Sequence, residues 1–435
     1  MRLNPLSSIV FFSIALLAPA SAQADTTLSS LVTGDYSGKA DSLTTVLISN
    51  FMDQSKGIFW STPNNVKNEQ YIYWQQAHAM DVVLYSYERI KNTDTKLAAQ
   101  YRLYMSRWYV NHANNWNHDA SDATGFLNPF TDDMCWICLT LVHMSEVTGA
   151  RIYANAAKNV FYKYIVTRAL DDGTNFALPW KSDDTNYNAC TNSPGCLLAA
   201  KLYELYGTES YLDVAKKLYT YTVGNILLSD GRVGEPPLSY TQGTFGEACR
   251  RLYHITGEAA YLSMAQKVIY YAITSTRCVD NGIVRHEGTS MDQSLFKAVL
   301  IPYAVNLALD ESASLMYRRK IVTFLQKNAD TLWANLDKET YPKMYCPYYW
   351  GDTYDTTVTA SMGAMTSGAS LMENVARMNK ALNTDVSGIS LISNPVSAPE
   401  AVYTVSGRKV RSAGKGTAGL PKGVYVVGRR KVVVK

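Results

Sequence analysis

"VTGARIYANAAK" (147–158), "LYGTESYLDVAKK" (205–217) and "ITGEAAYLSMAQK" (255–267) are three versions of one phrase. Each carries a glycine, a tyrosine four residues on, and an alanine four residues after that. A glycine at such a place closes a helix in the left-handed conformation, and the Tyr/Ala spacing lays out one face of the helix that follows. Gly149 and Gly207 are 58 residues apart and Gly207 and Gly257 are 50 apart, so each period holds a helical hairpin plus a substantial loop.

Extending the pattern in both directions gives two alternating kinds of helix. One kind is amphipathic with a charged face and is expected over 36–54, 94–115, 150–168, 209–226, 259–275 and 312–334. The other is apolar or small nearly all round, over 70–90, 132–148, 192–207, 242–256, 292–309 and 356–379. A helix with no polar face must be surrounded by protein, and the Gly/Ala/Ser content of "SPGCLLAA" and "ASMGAMTSGAS" permits close axial approach. Six inner and six outer helices predict an all-α fold, a closed (α/α)6 barrel over 25–383, with no continuous strand pattern before residue 385.

The two ends of the chain differ from this body. Residues 1–24 combine Arg2, an apolar run and small residues at Ala20, Ala22 and Ala24, the pattern of a signal peptide, so the protein is expected to be exported. Residues 384–400 read as a linker, and 401–435 alternate apolar and polar residues around Gly/Pro turns, as a small β module would. That tail holds nine Lys/Arg and no Asp/Glu; residues 25–400 hold 31 basic against 37 acidic groups. The formal charge of +4 therefore belongs to the tail, and a mildly acidic body without a basic cluster offers no footprint for nucleic acid. Seven scattered cysteines do not make a disulfide scaffold, although Cys190 and Cys196 flank a short stretch and could pair after export.

All inner helices should enter the ring from one end, so the segments before them converge on one rim. These are "NEQYIYWQQAH", "GFLNPFTDD", "NYNACTNSPG", "PLSYTQGTFG", "EGTSMDQSLFK" and "YYWGDTYDTT". Each is rich in aromatics, amides or carboxylates. Flat rings beside amides and acids suit sugars, which present apolar C–H faces and hydroxyls that need partners. Trp74, Gln75, Trp136, Trp180, Asn188, Asn192, Tyr240, Gln242, Asp292 and Gln293 are the candidate substrate contacts.

Asp132 and Asp133 stand side by side at the start of an apolar inner helix. Acids there often serve only as caps. Glycoside hydrolysis needs one carboxylate at the anomeric carbon and one carboxylic acid for the departing oxygen, about 5–5.5 Å apart when configuration is retained. Neighbours on a first helical turn can meet that requirement. The ionised form of one, together with aromatic desolvation, keeps a proton on the other. The further doublets Asp171-Asp172 and Asp183-Asp184 read as turns. The six histidines lack zinc spacing, "HANNWNHDASD" (112–122) reads as a solvated loop, and no phosphate loop is present, so neither metal nor cofactor is expected.

Taken in order, "FTDDMCWICLTLVHMSEVTGARIYANAAK", "YNACTNSPGCLLAAKLYELYGTESYLDVAKKLY", "SYTQGTFGEACRRLYHITGEAAYLSMAQK" and "DQSLFKAVL" resemble glycoside hydrolase family 76, the endo-acting α-1,6-mannanases, over roughly residues 35–380. The resemblance implies an (α/α)6 barrel, retention of configuration, Asp132 as nucleophile, Asp133 as general acid/base, and a mannan or manno-oligosaccharide as partner of a monomeric enzyme. This chain departs from the family where two consecutive tryptophans are expected and Trp136-Ile137 stands, which predicts a missing stacking surface. The tail resembles the C-terminal sorting domains read by the type IX secretion system, implying a cell-surface or extracellular destination. Two rivals follow from the residues alone: a non-catalytic glycan-binding protein, and an (α/α)6 glycosidase or lyase on another polysaccharide, for which the rim offers chiefly Lys297 as a cationic partner.

Overall fold

The computed structural model describes residues 28–66, 72–115, 125–338, 343–389, 402–404, 409–411, 420–427 and 430–434. The chain divides into two compact units, Met1–Asn383 and Thr384–Lys435. The expected signal peptide and most of the expected linker lie outside the described residues.

In the first unit the outer helices are α1 (Ser37–Phe51), α3 (Thr95–Asn115), α5 (Arg151–Val160), α7 (Glu209–Tyr221), α9 (Ala259–Thr274) and α11 (Leu315–Asn335). The inner helices are α2 (Trp74–Ile90), α4 (Thr131–Thr148), α6 (Ala189–Tyr206), α8 (Ser239–Thr256), α10 (Met291–Leu309) and α12 (Met362–Ile389). Consecutive inner helices pack side by side from α2 to α10, and an outer helix packs on each. Buried Glu373 of α12 accepts from Arg89 of α2 and Thr44 of α1, tying the last inner helix to the first pair. The architecture is the (α/α)6 barrel.

The recurring phrase has a structural cause at each of its letters. Gly149, Gly207 and Gly257 take φ of 74°, 64° and 76°, and the N–H of each bonds back to a carbonyl four residues earlier, ending α4, α6 and α8. Tyr153, Tyr211 and Tyr261, with Ala157, Ala215 and Ala265, are the buried face of the next outer helix. Small residues on the inner helices allow contact between backbones: a Cβ on Gly243 of α8 would stand 2.6 Å from the Leu300 Cα of α10.

Where the expectation was a body without strands, three two-residue ladders occur, each following an outer helix. They are β1 (Met52–Asp53) with β2 (Ile58–Phe59), β3 (Leu170–Asp171) with β4 (Phe176–Ala177), and β5 (Val279–Asp280) with β6 (Ile283–Val284). Such short pairs leave too little alternation to read in a sequence. Asp172 caps the β3–β4 turn, accepting from Thr174 and Asn175, as a turn residue should. The expected loop at 112–122 begins later than its composition suggests. His112 is inside α3, buried against Tyr73, Trp108 and Phe126, and 116–124 lie outside the described residues.

All seven cysteines are free. The stretch between Cys190 and Cys196 is not a loop but the first turns of α6, and six residues of helix place the two thiols about 9 Å apart along the axis on different faces. No bridge can form there.

The second unit contains β7 (Val402–Thr404), β8 (Lys409–Arg411), β9 (Gly423–Val427) and β10 (Arg430–Val434), in one antiparallel sheet of order β10-β9-β7-β8. No helix among the described residues is long and apolar enough to cross a membrane.

Candidate active site

The N-terminal ends of α2, α4, α6, α8 and α10 surround a cleft of about 570 Å³. Its walls are aromatic. Trp74 stacks on Phe296 (ring centroids 6.1 Å apart), Tyr240 lies 4.4 Å from Phe296, Trp136 meets Tyr240 edge-on, and Phe130 packs 5.1 Å from Trp180. The polar groups are few: Gln75, Asn128, Asn186, Asn188, Cys190 and three carboxylates, Asp132, Asp133 and Asp292.

The loop before α4 is held from several sides. Arg168 donates to the carbonyls of Asn128 and Pro129, Thr131 N–H donates to the Trp180 carbonyl, and the Asn128 side chain accepts from Phe130 N–H. That last bond occupies Oδ1 of Asn128, so its contact with Asp133 is made by the amide NH2. No side chain caps α4 at Phe130. The two aspartates on its first turn instead face the cleft. Asp292 is fixed by the Trp74 indole N–H at 3.0 Å and by the Gln75 amide.

Burial pushes the Asp132 carboxyl up to about 7; Cys190, backbone N–H groups of its own turn and Trp180 offset part of that push. Its Oδ1 is buried and makes no hydrogen bond. Asp133 is driven well above the carboxylate range by burial first, then by the charges of Asp132 and Asp292, against one bond from Asn128. Asp133 has more acids around it and fewer donors. It is the carboxyl that keeps a proton while its neighbour ionises.

Nine of the twelve candidate residues line the cleft: Asp132, Asp133, Trp74, Gln75, Trp136, Trp180, Asn188, Tyr240 and Asp292. Three lie elsewhere. Asn192 is wholly buried, bonding both backbone groups of Leu178 and the Asn188 carbonyl, one helical turn below Asn188. Gln242 is likewise buried and donates to the Val233 carbonyl. Gln293 is exposed and outside the cleft, folded over Gly288. Each sits in a rim segment but on a face the segment alone does not reveal. Seven further residues line the cleft, Phe296 and Cys190 among them; the four-residue step from Asp292 to Phe296 on α10 is the signal in the sequence for the former. Ile137 is fully buried and outside the cleft, so the departure from the double tryptophan falls in the core and removes no wall. Lys297 is also buried, its ammonium on the Tyr348 carbonyl, and gives the cleft no cation. Among the described residues no cluster of His, Cys, Asp and Glu could hold a metal ion.

Residues 37–385 match the model of glycosyl hydrolase family 76, and the chain belongs to that family. A solved α-1,6-mannanase of Salegentibacter sp. HEL1_6 is 25% identical, with TM-score 0.69, over 79% of this chain and 100% of that one. Variants of it described as inactive, carrying Asn or Ala at two consecutive aspartates, were solved with α-1,6-mannotriose and α-1,6-mannotetrose. A family 76 mannosidase from Bacteroides thetaiotaomicron shares the fold at 16% identity and TM-score 0.63, over 81% of this chain and 99% of that one. No curated protein matches the sequence.

Proposed function

We propose that this family 76 glycoside hydrolase is an exported, retaining endo-α-1,6-mannanase. The observation that carries the reading is the adjacent pair Asp132 and Asp133, unpaired with any cation, on the floor of an aromatic cleft, with Asp133 pushed up by burial and by the charges of Asp132 and Asp292. The Salegentibacter enzyme, inactive when two consecutive aspartates are changed, supports the same residues and the same linkage.

Asp132, ionised, attacks the anomeric carbon of a mannosyl unit. Asp133 gives its proton to the departing 6-oxygen, and the glycosidic bond breaks as the bond to Asp132 forms. Loss of that proton leaves Asp133 as a base. It takes a proton from water, the water oxygen displaces Asp132, and configuration is restored at the anomeric carbon. Trp74, Trp136, Tyr240 and Phe296 stack on sugar faces, and Gln75, Asn188 and Asp292 bond hydroxyls. The enzyme acts as a monomer on mannan, with residues 1–24 directing export and the C-terminal module engaging secretion machinery that takes it to the cell surface or beyond.

The test is Asp132→Ala and Asp133→Ala on linear α-1,6-mannan, with reducing ends counted and the first-formed anomer read by NMR. Each variant should stay folded and lose nearly all cleavage, and wild type should release the α-anomer first. Full activity in either variant, or first release of the β-anomer, overturns the mechanism.

A further inference from the structure

Five of the six rim segments contribute to the catalytic cleft. The sixth, preceding α12, does not; with His286 it encloses a depression of its own, about 220 Å³, lined by Tyr348, Tyr349, Asp352 and Tyr354. One short segment of chain runs from this depression to the cleft. His286 stands in the depression, Asp292 in the cleft, and the six peptide steps from one to the other span at most about 20 Å.

This depression is built rather than accidental. Tyr354 N–H donates to the Asn335 carbonyl, the Asn335 amide to the Trp350 carbonyl, and the Lys297 ammonium, buried against the Trp350 ring, to the Tyr348 carbonyl. The Tyr354 hydroxyl is committed to Val358 O. On the connecting segment, Glu287 accepts from Ser239 N–H and Oγ at the start of α8. The loop that carries the rings is therefore held in place before anything binds, so little backbone ordering is left to oppose association. Asp352 adds an exposed carboxylate that can accept from adjacent hydroxyls. His286, its ring edge-on to Tyr349, is shifted toward the neutral form by partial burial and by Lys297, giving one donor and one acceptor.

We propose that this depression is an accessory subsite that holds a hexosyl unit of the same glycan chain engaged in the cleft. The proposal rests on the mannanase reading and extends it: polymer is distinguished from short oligomer by a contact away from the reacting bond. The aromatic walls take the apolar face of the sugar; Asp352 and His286 take its hydroxyls.

Tyr349→Ala and Asp352→Ala test it, each assayed on long linear α-1,6-mannan and on α-1,6-mannotetraose. Asp352 is exposed, so its truncation leaves the loop's packing intact. The expected result is a KM on polymer raised about tenfold, as loss of roughly one aromatic or polar contact implies, with kcat/KM on the tetraose changed less than about twofold. No change on polymer, or an equal fall on both substrates, overturns the proposal. A binding arm is independent of cleavage: retardation of the Asp133→Asn chain in a mannan-containing native gel should weaken when either change is added. Unaltered retardation overturns the subsite alone. A parent chain that neither cleaves mannan nor is retarded by it overturns both readings.

Discussion

The two ends of the barrel treat buried carboxylates in opposite ways. At the far end four buried or largely buried acids each face a cationic side chain. Glu247 accepts from Arg250 and Arg251, Asp310 from Arg250 and His254, Asp81 from His143, and Glu373 from Arg89. Burial pushes Asp81 and Glu247 up, but hydrogen bonds from His143 and His78 on one, and the charges of Arg250 and Arg251 on the other, outweigh it and hold each at about 2. At the rim Asp132 and Asp133 have no such partner and both move upward. A paired charge is chemically inert and fastens helices to one another. An unpaired one destabilises the fold and stays free to attack or to give a proton.

Single substitutions at the two ends should therefore have inverse consequences. Asp133→Asn should cut mannan cleavage by roughly 10³-fold or more, the reach of a lost general acid, without lowering the melting temperature. Glu247→Ala should do the reverse. Removing one member of a buried ionic cluster strands the others and costs about 3–5 kcal/mol. Thermal unfolding should shift down by several degrees while kcat at low temperature, per folded molecule, holds. If Glu247→Ala instead kills activity in a protein of wild-type stability, the division between the two ends is wrong.

The sign of the pH dependence separates the ends further. A carboxyl whose folded pKa is raised resists ionisation in the native state, so the stability it contributes is complete below its unfolded pKa, about 4, and lost as pH rises. Asp133→Asn removes that loss. Its melting temperature at pH 7 should exceed wild type, and the difference should vanish toward pH 4. Asp81 and Glu247 have depressed values; their contribution is present above pH 4 and disappears as pH falls toward 2, in the variant and wild type alike. For catalysis, Asp132 must be ionised, so the acid limb of the rate profile should lie nearer neutrality than an ordinary carboxylate's. An acid limb near pH 4 would contradict the burial of Asp132.

The barrel was legible because its signals are local and repeated. Glycines such as Gly207 close helices by their own geometry, and Tyr211 with Ala215 marks a buried face at helical spacing. The site was legible to the level of the segment. Which side chain of a segment reaches the cleft depends on where the helix begins: α6 starts at Ala189 rather than 192, which puts Cys190 at the cleft and turns Asn192 into the core. The far-end network is legible only in part: Glu247 with Arg250 and Arg251 stands at helical spacing, but the links between helices left no trace. Its members, Asp81 and His143 for example, come from different inner helices, and no spacing along the chain announces that they meet.

The smallest effect distinguishes the ends by a histidine. Burial alone would lower His143, but its hydrogen bonds to Asp81 and Glu88 raise it to about 9. The stability from its charge is complete below the unfolded value of about 6.5 and is lost as pH rises through about 9. Asp132 and Asp133 titrate with the same sign, so wild type cannot separate them; an Asp132→Asn/Asp133→Asn background can. There, melting temperature should still decline between pH 6.5 and 9.5, by roughly 2–4 °C, and adding His143→Gln should flatten that decline. Tyr85, whose ring lies 5.1 Å from the imidazole, is raised well above 10 and stays neutral throughout, leaving His143 as the far-end group that titrates in this window. A decline that persists once His143→Gln is added to that background would mean that the imidazole is not the charge that joins Asp81 on α2 to α4.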